Sequence, residues 1–248
     1  MMRRCAARTL IPCGADGREQ PGRRIDVGDR CLIDARVNGL WPVRYPTPDG
    51  LRAAFLPSLR GLAAVYCQRD YPDVPYPARG YEAATVKSGG CGAVSAAMIV
   101  ETLRPDFSFA PREAAAFAIA CGARVPGGTA MSLLGRRLAE RWRLQMSETV
   151  SAEALLCHLR RGGVAVANVA GRGMFSTGGH YLAVLAEQDG LLTLADPGYY
   201  GGKYGARYPR RRAAVQVVGP DHLLRCAPAV LDADCAGRAP RYYLFGAE

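Results

Sequence analysis

The sequence predicts an α+β fold in which helices pack on an antiparallel sheet, preceded by a small all-β barrel. Three observations carry this. Short strand-like segments separated by Asn-Gly and Asp-Gly turns fill roughly the first 60 residues. Four segments with apolar residues at helical spacing follow. Five strand-like segments then follow beyond residue 163. A hinge near 60–66 divides the chain into a first domain over 1–62 and a second over 63–248.

In the first domain "RCLIDARV" (30–37) alternates, and Asn38-Gly39 supplies a hairpin turn of type I′. "LWPVRY", a loop with Asp49-Gly50 and "LRAAFLP" complete a set of short strands expected to close on one another. Trp41 is either a core anchor or an exposed binding aromatic. In the second domain "GCGAVSAAMIVETL" is a helix ending before Pro105. "APREAAAFAIACG" has Pro111 near its start and Gly122 past its end. "TAMSLLGRRLAERWRL" is a third helix, and "SAEALLCHLRRGG" a fourth, opened by Ser151 and closed by Gly162. Strands are expected over 164–170, 180–188, 191–197, 213–219 and 241–247, with a turn at Asp189-Gly190.

The 32 Lys and Arg against 22 Asp and Glu leave a net charge of +10. This favours anionic partners such as cell-wall polymers, or reflects arginine used for ordinary solubility. The absence of an aromatic-interleaved basic signature argues against nucleic acid. No apolar run approaches the ~18 residues of a membrane span. The N-terminus lacks the apolar stretch of about 7–15 residues of a secretory signal. Synthesis in the cytoplasm is therefore expected, with any action at a cell wall following lysis-type release or carriage in a virion.

Nine cysteines and three histidines are present, and no C-x-x-C pair suggests structural zinc. Cys121 and Cys157 lie in apolar helical contexts that suit small buried hydrophobes. Cys91 differs. It stands between glycines at the head of a helix, where the helix dipole and a free backbone N–H would favour thiolate and oxyanion. The flanking glycines are expected to leave the backbone open to a substrate carbonyl. His180 opens a strand after the glycine-rich "GRGMFSTGG", and the following hairpin returns Asp196 beside it. His158 lies within a helix and is given no role.

Together "YCQRDYPDVPYP", "SGGCGAVSAAMIV" and "GGHYLAVLAEQDGLLTLADPGYY" resemble papain-like cysteine peptidases of the double-glycine leader peptidase type, in their soluble, transporter-free form. The resemblance spans most of 66–200, with 89 residues from Cys91 to His180 and 16 from His180 to Asp196. It implies that Cys91 is the nucleophile, His180 the general base and Asp196 the orienting carboxylate. It also implies that Gln68 donates to the oxyanion, with no metal or organic cofactor. One departure is "GCGAV", where the soluble relatives usually carry Gly-Cys-Gly-Pro-Thr. The segment 22–59 is similar to bacterial SH3-type domains, which often tether enzymes to cell walls.

The expected function is a cysteine peptidase or amidase, of the kind phages and prophages use as peptidoglycan hydrolases. A protease for polypeptides, such as a leader peptide or a phage structural protein, is the second reading. A non-catalytic binding or virion protein that keeps the fold is the third. The loop 196–212, rich in Gly, Tyr and Arg, is either a substrate-binding lid or simply a long loop.

Overall fold

The computed structural model describes residues 1–171 and 173–247. The chain is α+β, with antiparallel sheets throughout. Its first sheet contains β1 (Met2–Ala6), β2 (Arg30–Ile33), β3 (Trp41–Thr47), β4 (Gly50–Leu56) and β5 (Leu62–Ala63), in the order β4-β3-β2-β1-β5. Ile25, Ile33, Val43, Tyr45 and Leu62 fill its core. Asn38 and Gly39 both adopt positive φ, 48° and 80°, the I′ turn expected from the sequence. The ladder of β2 nevertheless stops at Ile33, short of the expected residue 37.

The expected closed barrel is not formed by these strands. Among the described residues, β4 and β5 are the two edges of an open sheet. The physical reason is that β5 has only two residues, and both pair with β1. The β4 edge is covered instead by Cys13, which exchanges two backbone hydrogen bonds with Phe55.

A short turn of helix, α1 (Val86–Gly89), leads into α2 (Cys91–Leu103). Every residue of α2 from Gly92 to Glu101 is buried, as suits a central helix. Then come α3 (Pro111–Ala120), a small hairpin of β6 (Arg124–Val125) and β7 (Gly128–Thr129), and α4 (Met131–Trp142). Strand β8 (Leu144–Thr149) precedes α5 (Ala152–Arg160), whose first turn is capped by Ser151 Oγ accepting from Ala154 N–H at 3.1 Å. The remaining elements are β9 (Val164–Val169), β10 (His180–Gln188), β11 (Leu191–Ala195), α6 (Pro209–Ala214), β12 (Gln216–Val218), β13 (Leu223–Cys226), α7 (Pro228–Cys235) and β14 (Tyr242–Ala247).

Seven of these strands form one sheet in the order β12-β13-β11-β10-β9-β14-β8. One core lies between this sheet and α2, α3 and α4, and a second lies on its other face under α5 and α7. Six strands escaped the sequence: β1, β8 and β13, and the two-residue β5, β6 and β7. The expected third helix stops at Trp142, where Arg143 turns left-handed at φ 51° and starts β8. The segment 209–214, partly inside an expected strand, is helical because Pro209 opens α6.

The first sheet is joined to the larger body through buried groups. Arg4 of β1 pairs with Glu101 of α2 at 3.2 Å, both nearly buried. The same carboxylate accepts from Tyr66 Oη and Phe109 N–H, each at 2.9 Å. Arg30 grips Asp221 through two hydrogen bonds, of 2.9 and 2.6 Å. Gly28 and Gly219 meet backbone to backbone, and a Cβ on Gly219 would lie 2.1 Å from Gly28 O.

Candidate active site

Cys91 is the first residue of α2, so its neighbouring N–H groups lack intrahelical acceptors. The flanking glycines do not expose the backbone, as the sequence suggested. Both are buried. A Cβ on Gly90 would meet Val86 O at 2.6 Å, and one on Gly92 would meet Thr129 Oγ1 at 2.6 Å. They are glycine because β7 and the preceding turn press against the helix head. Thr129 is itself held by Tyr76 Oη at 2.8 Å and, through its carbonyl, by Tyr181 Oη at 3.1 Å.

The hairpin of β10 and β11 delivers the other two groups. Asp189 and Gly190 take positive φ at its turn, and Ala183 pairs with Ala195. Continuing that register sets Asp196 opposite Leu182, two residues from His180 on the same face. Leu182 and Leu194 belong to the core under α5 and α7, whereas α2 packs in the opposite core. Cys91 and the His180–Asp196 pair therefore meet across the end of the sheet. His180 Nε2 and Asp196 Oδ1 are 2.8 Å apart, and both residues are buried.

Burial alone would raise the Cys91 thiol. The hydrogen bond and charge of His180, with N–H groups of Tyr181 and Gly92, outweigh it and hold the thiol below its ordinary value. Six other cysteines show the contrast. Burial pushes Cys5, Cys31, Cys226 and Cys235 up to about 12. It also raises Cys13 and Cys67. Burial likewise disfavours a charged His180, but Asp196 and then Cys91 overcome it and raise the imidazole to about 9. A thiolate–imidazolium pair is the state these shifts favour.

Asp196 is saturated. Its Oδ1 accepts from His180 and from Gly198 N–H at 2.8 Å, and its Oδ2 from Lys203 Nζ and Tyr204 Oη, each at 2.6 Å. Burial opposes its charge, yet His180 and then Lys203 keep the carboxyl far below the usual range. Burial and that same carboxylate push the Tyr204 hydroxyl far up, which keeps it a donor.

Lys203, Tyr204 and Gly198 are the site residues the sequence did not single out. Part of the loop at 196–212 thus turns inward as a brace on Asp196, and to that extent it is not a lid. Gly198 leaves room for the imidazole: a Cβ there would sit 3.0 Å from His180 Cε1.

Gln68 is brought to the edge of this group and makes no hydrogen bond with the triad among the described residues. Its backbone N–H donates to Pro197 O at 2.7 Å, and Nε2 donates to Lys87 O at 2.8 Å, one turn before Cys91. The second N–H of that amide remains to be offered. Its Oε1 is buried with no hydrogen-bond partner among the described residues. His158 bridges α5 to the sheet, with Nε2 2.8 Å from Phe245 O and 3.2 Å from Val164 O, a structural role. No group of three or more His, Cys, Asp or Glu side chains among the described residues is placed to hold a metal ion. No described helix is long and apolar enough to cross a membrane.

Comparison with known proteins adds no relative: no family model, no curated protein and no solved structure matches the chain.

Proposed function

We propose that the chain is a cysteine hydrolase of amide bonds, papain-like in its arrangement, with an SH3-type N-terminal region. Its proposed setting is that of a phage or prophage enzyme acting on the peptide portion of peptidoglycan. The observation that carries the chemistry is the buried His180–Asp196 pair set against a cysteine at a helix head whose thiol is lowered. The wall substrate rests on the resemblance of 22–59 to wall-tethering domains and on the net charge of +10.

In this mechanism the Cys91 thiolate attacks the amide carbon. The Cys91 N–H and the free N–H of Gln68 receive the oxyanion. His180 then donates its proton to the leaving amine, giving a thioester on Cys91. Asp196 holds the imidazole by Nε2, which leaves Nδ1 to face the sulfur and the substrate. Water, deprotonated by His180, releases the acid and restores the thiol.

The test is release of free amines from purified cell walls by the protein and by Cys91→Ala, with a casein-type polypeptide in parallel. Wall-derived amines from the parent protein only are the expected result. Cleavage of the polypeptide with intact walls would move the function to protein processing. If neither substrate is cut and iodoacetamide labels several thiols equally slowly, the catalytic assignment fails.

A further inference from the structure

Away from Cys91, a cleft of about 620 Å³ opens where the first sheet meets the larger body. One wall is Arg8, Arg36, Trp41 and Arg60; the other is the end of α5, with Arg160 and Arg161. Among the described residues no Asp or Glu lines it. Arg160 is neutralised by Glu187 at 2.9 Å, outside the lining. Arg36, Arg60 and Arg161 are exposed and make no ion pair with any described residue.

In the first wall Arg8 is held in place. Its stem packs on Gly61, where a Cβ would come within 2.7 Å of Arg8 Cγ, and its Nη2 donates to Leu159 O at 3.4 Å. Its Nε is buried and has no acceptor among the described residues. Arg225 Nε and Arg238 Nε, outside the cleft, are in the same state, so what distinguishes the cleft is the unpaired guanidiniums of its walls. Glu187 offsets Arg160 and lies near Arg8, but Arg36, Arg60 and Arg161 have no such carboxylate among the described residues, and an anion that bridges them relieves their repulsion. Their planar forks match phosphate oxygens two at a time.

We infer that this cleft binds a small ligand carrying two or more phosphate groups. The volume lies within the range of about 300–1,000 Å³ typical of small-molecule sites. Arg8, Arg60 and Arg161 all line the cleft and supply guanidinium donors to it. Trp41 offers a ring for a base or another flat group, on which Arg36 already lies at 5.9 Å from the centroid. The site is separate from the Cys91 chemistry and stands whether or not the chain hydrolyses amides.

The test is calorimetric titration of the full chain with pyrophosphate, tripolyphosphate and ADP, at low and at high salt. Saturable binding with Kd below about 1 mM is expected, weakening as salt rises. Arg60→Ala combined with Arg161→Ala should weaken it about tenfold or more. Arg210→Ala, on exposed α6, should leave it unchanged. ADP binding tighter than pyrophosphate, with the excess lost in Trp41→Ala, identifies a nucleotide; equal affinity identifies an inorganic or non-aromatic phosphate. No saturable binding, an unaffected double variant, or an equal loss in Arg210→Ala overturns the inference. Both exchanged arginines are exposed, so the double variant should fold, and an unchanged circular dichroism melt verifies that.

Discussion

At the Cys91 site every oxygen of the buried carboxylate has its donors, whereas in the arginine-lined cleft the guanidiniums outnumber their acceptors. Asp196 accepts four hydrogen bonds and sits between two cationic side chains, His180 and Lys203. Arg36, Arg60 and Arg161 have no such carboxylate among the described residues. Charge held for internal work and charge displayed to a ligand are set up differently. The first is desolvated, oriented and compensated within the chain. The second is left partly in water, where repulsion is tolerable and incoming anions are attracted.

The largest effect is expected at Cys91. Cys91→Ala should lower amide hydrolysis by a factor of about 10⁴ or more. Because Cys91 helps raise His180, the imidazole NMR titration midpoint should also fall from about 9. Asp196→Ala should come next. It leaves Lys203 buried without its carboxylate, a cost of about 3–5 kcal/mol in chemical denaturation, and it frees His180 to reorient.

The pH profile sharpens the same contrast. Above about pH 9 His180 loses its proton, and with it the ion pair and the general acid, so the rate should fall there. The depressed carboxyl of Asp196 contributes stability that is fully present above its ordinary value of 3.8. That stability is lost only as pH falls through the lower folded value. In Lys203→Met a cation that lowers Asp196 is gone. Acid unfolding, followed by circular dichroism, should therefore begin at higher pH than in the parent.

Smaller effects follow. Gly198→Ala crowds the imidazole by a few tenths of an ångström, and kcat/KM should drop about tenfold with little change in melting temperature. Arg60→Ala with Arg161→Ala should leave amide hydrolysis unchanged and the melting temperature within about 2 °C. A loss of hydrolysis there would show the two charged regions to be one system.

Cys91, His180 and Asp196 were legible because each sits at a local signal: a helix head between glycines, a strand start, the end of a short hairpin. The brace from Lys203 and Tyr204 was not. A lysine in a glycine- and tyrosine-rich loop looks solvated until a buried carboxylate is known to lie beneath it. The roles of Gly90 and Gly92 are hidden for the same reason. Sequence shows that a side chain is missing, but not that Val86 and Thr129 fill its place. Most of the larger sheet was readable from alternating or continuous apolar runs. Strand β1, "MRRCA", was not, because its Arg4 is made acceptable only by Glu101, 97 residues away. Strand β8 continues an amphipathic helix without a proline or glycine to mark the break, and a left-handed arginine does that work.

The joint at Arg4 and Glu101 also bears on how such a chain can change by recombination. A segment that ends near residue 62 takes with it the cation facing a buried carboxylate of the central helix, and Gly28, against which Gly219 packs. A foreign domain spliced there would have to supply both, or leave Glu101 as an uncompensated charge under the helix that carries Cys91. Exchanging the N-terminal region therefore means replacing buried contacts of the body it docks on, whatever ligand either of them meets.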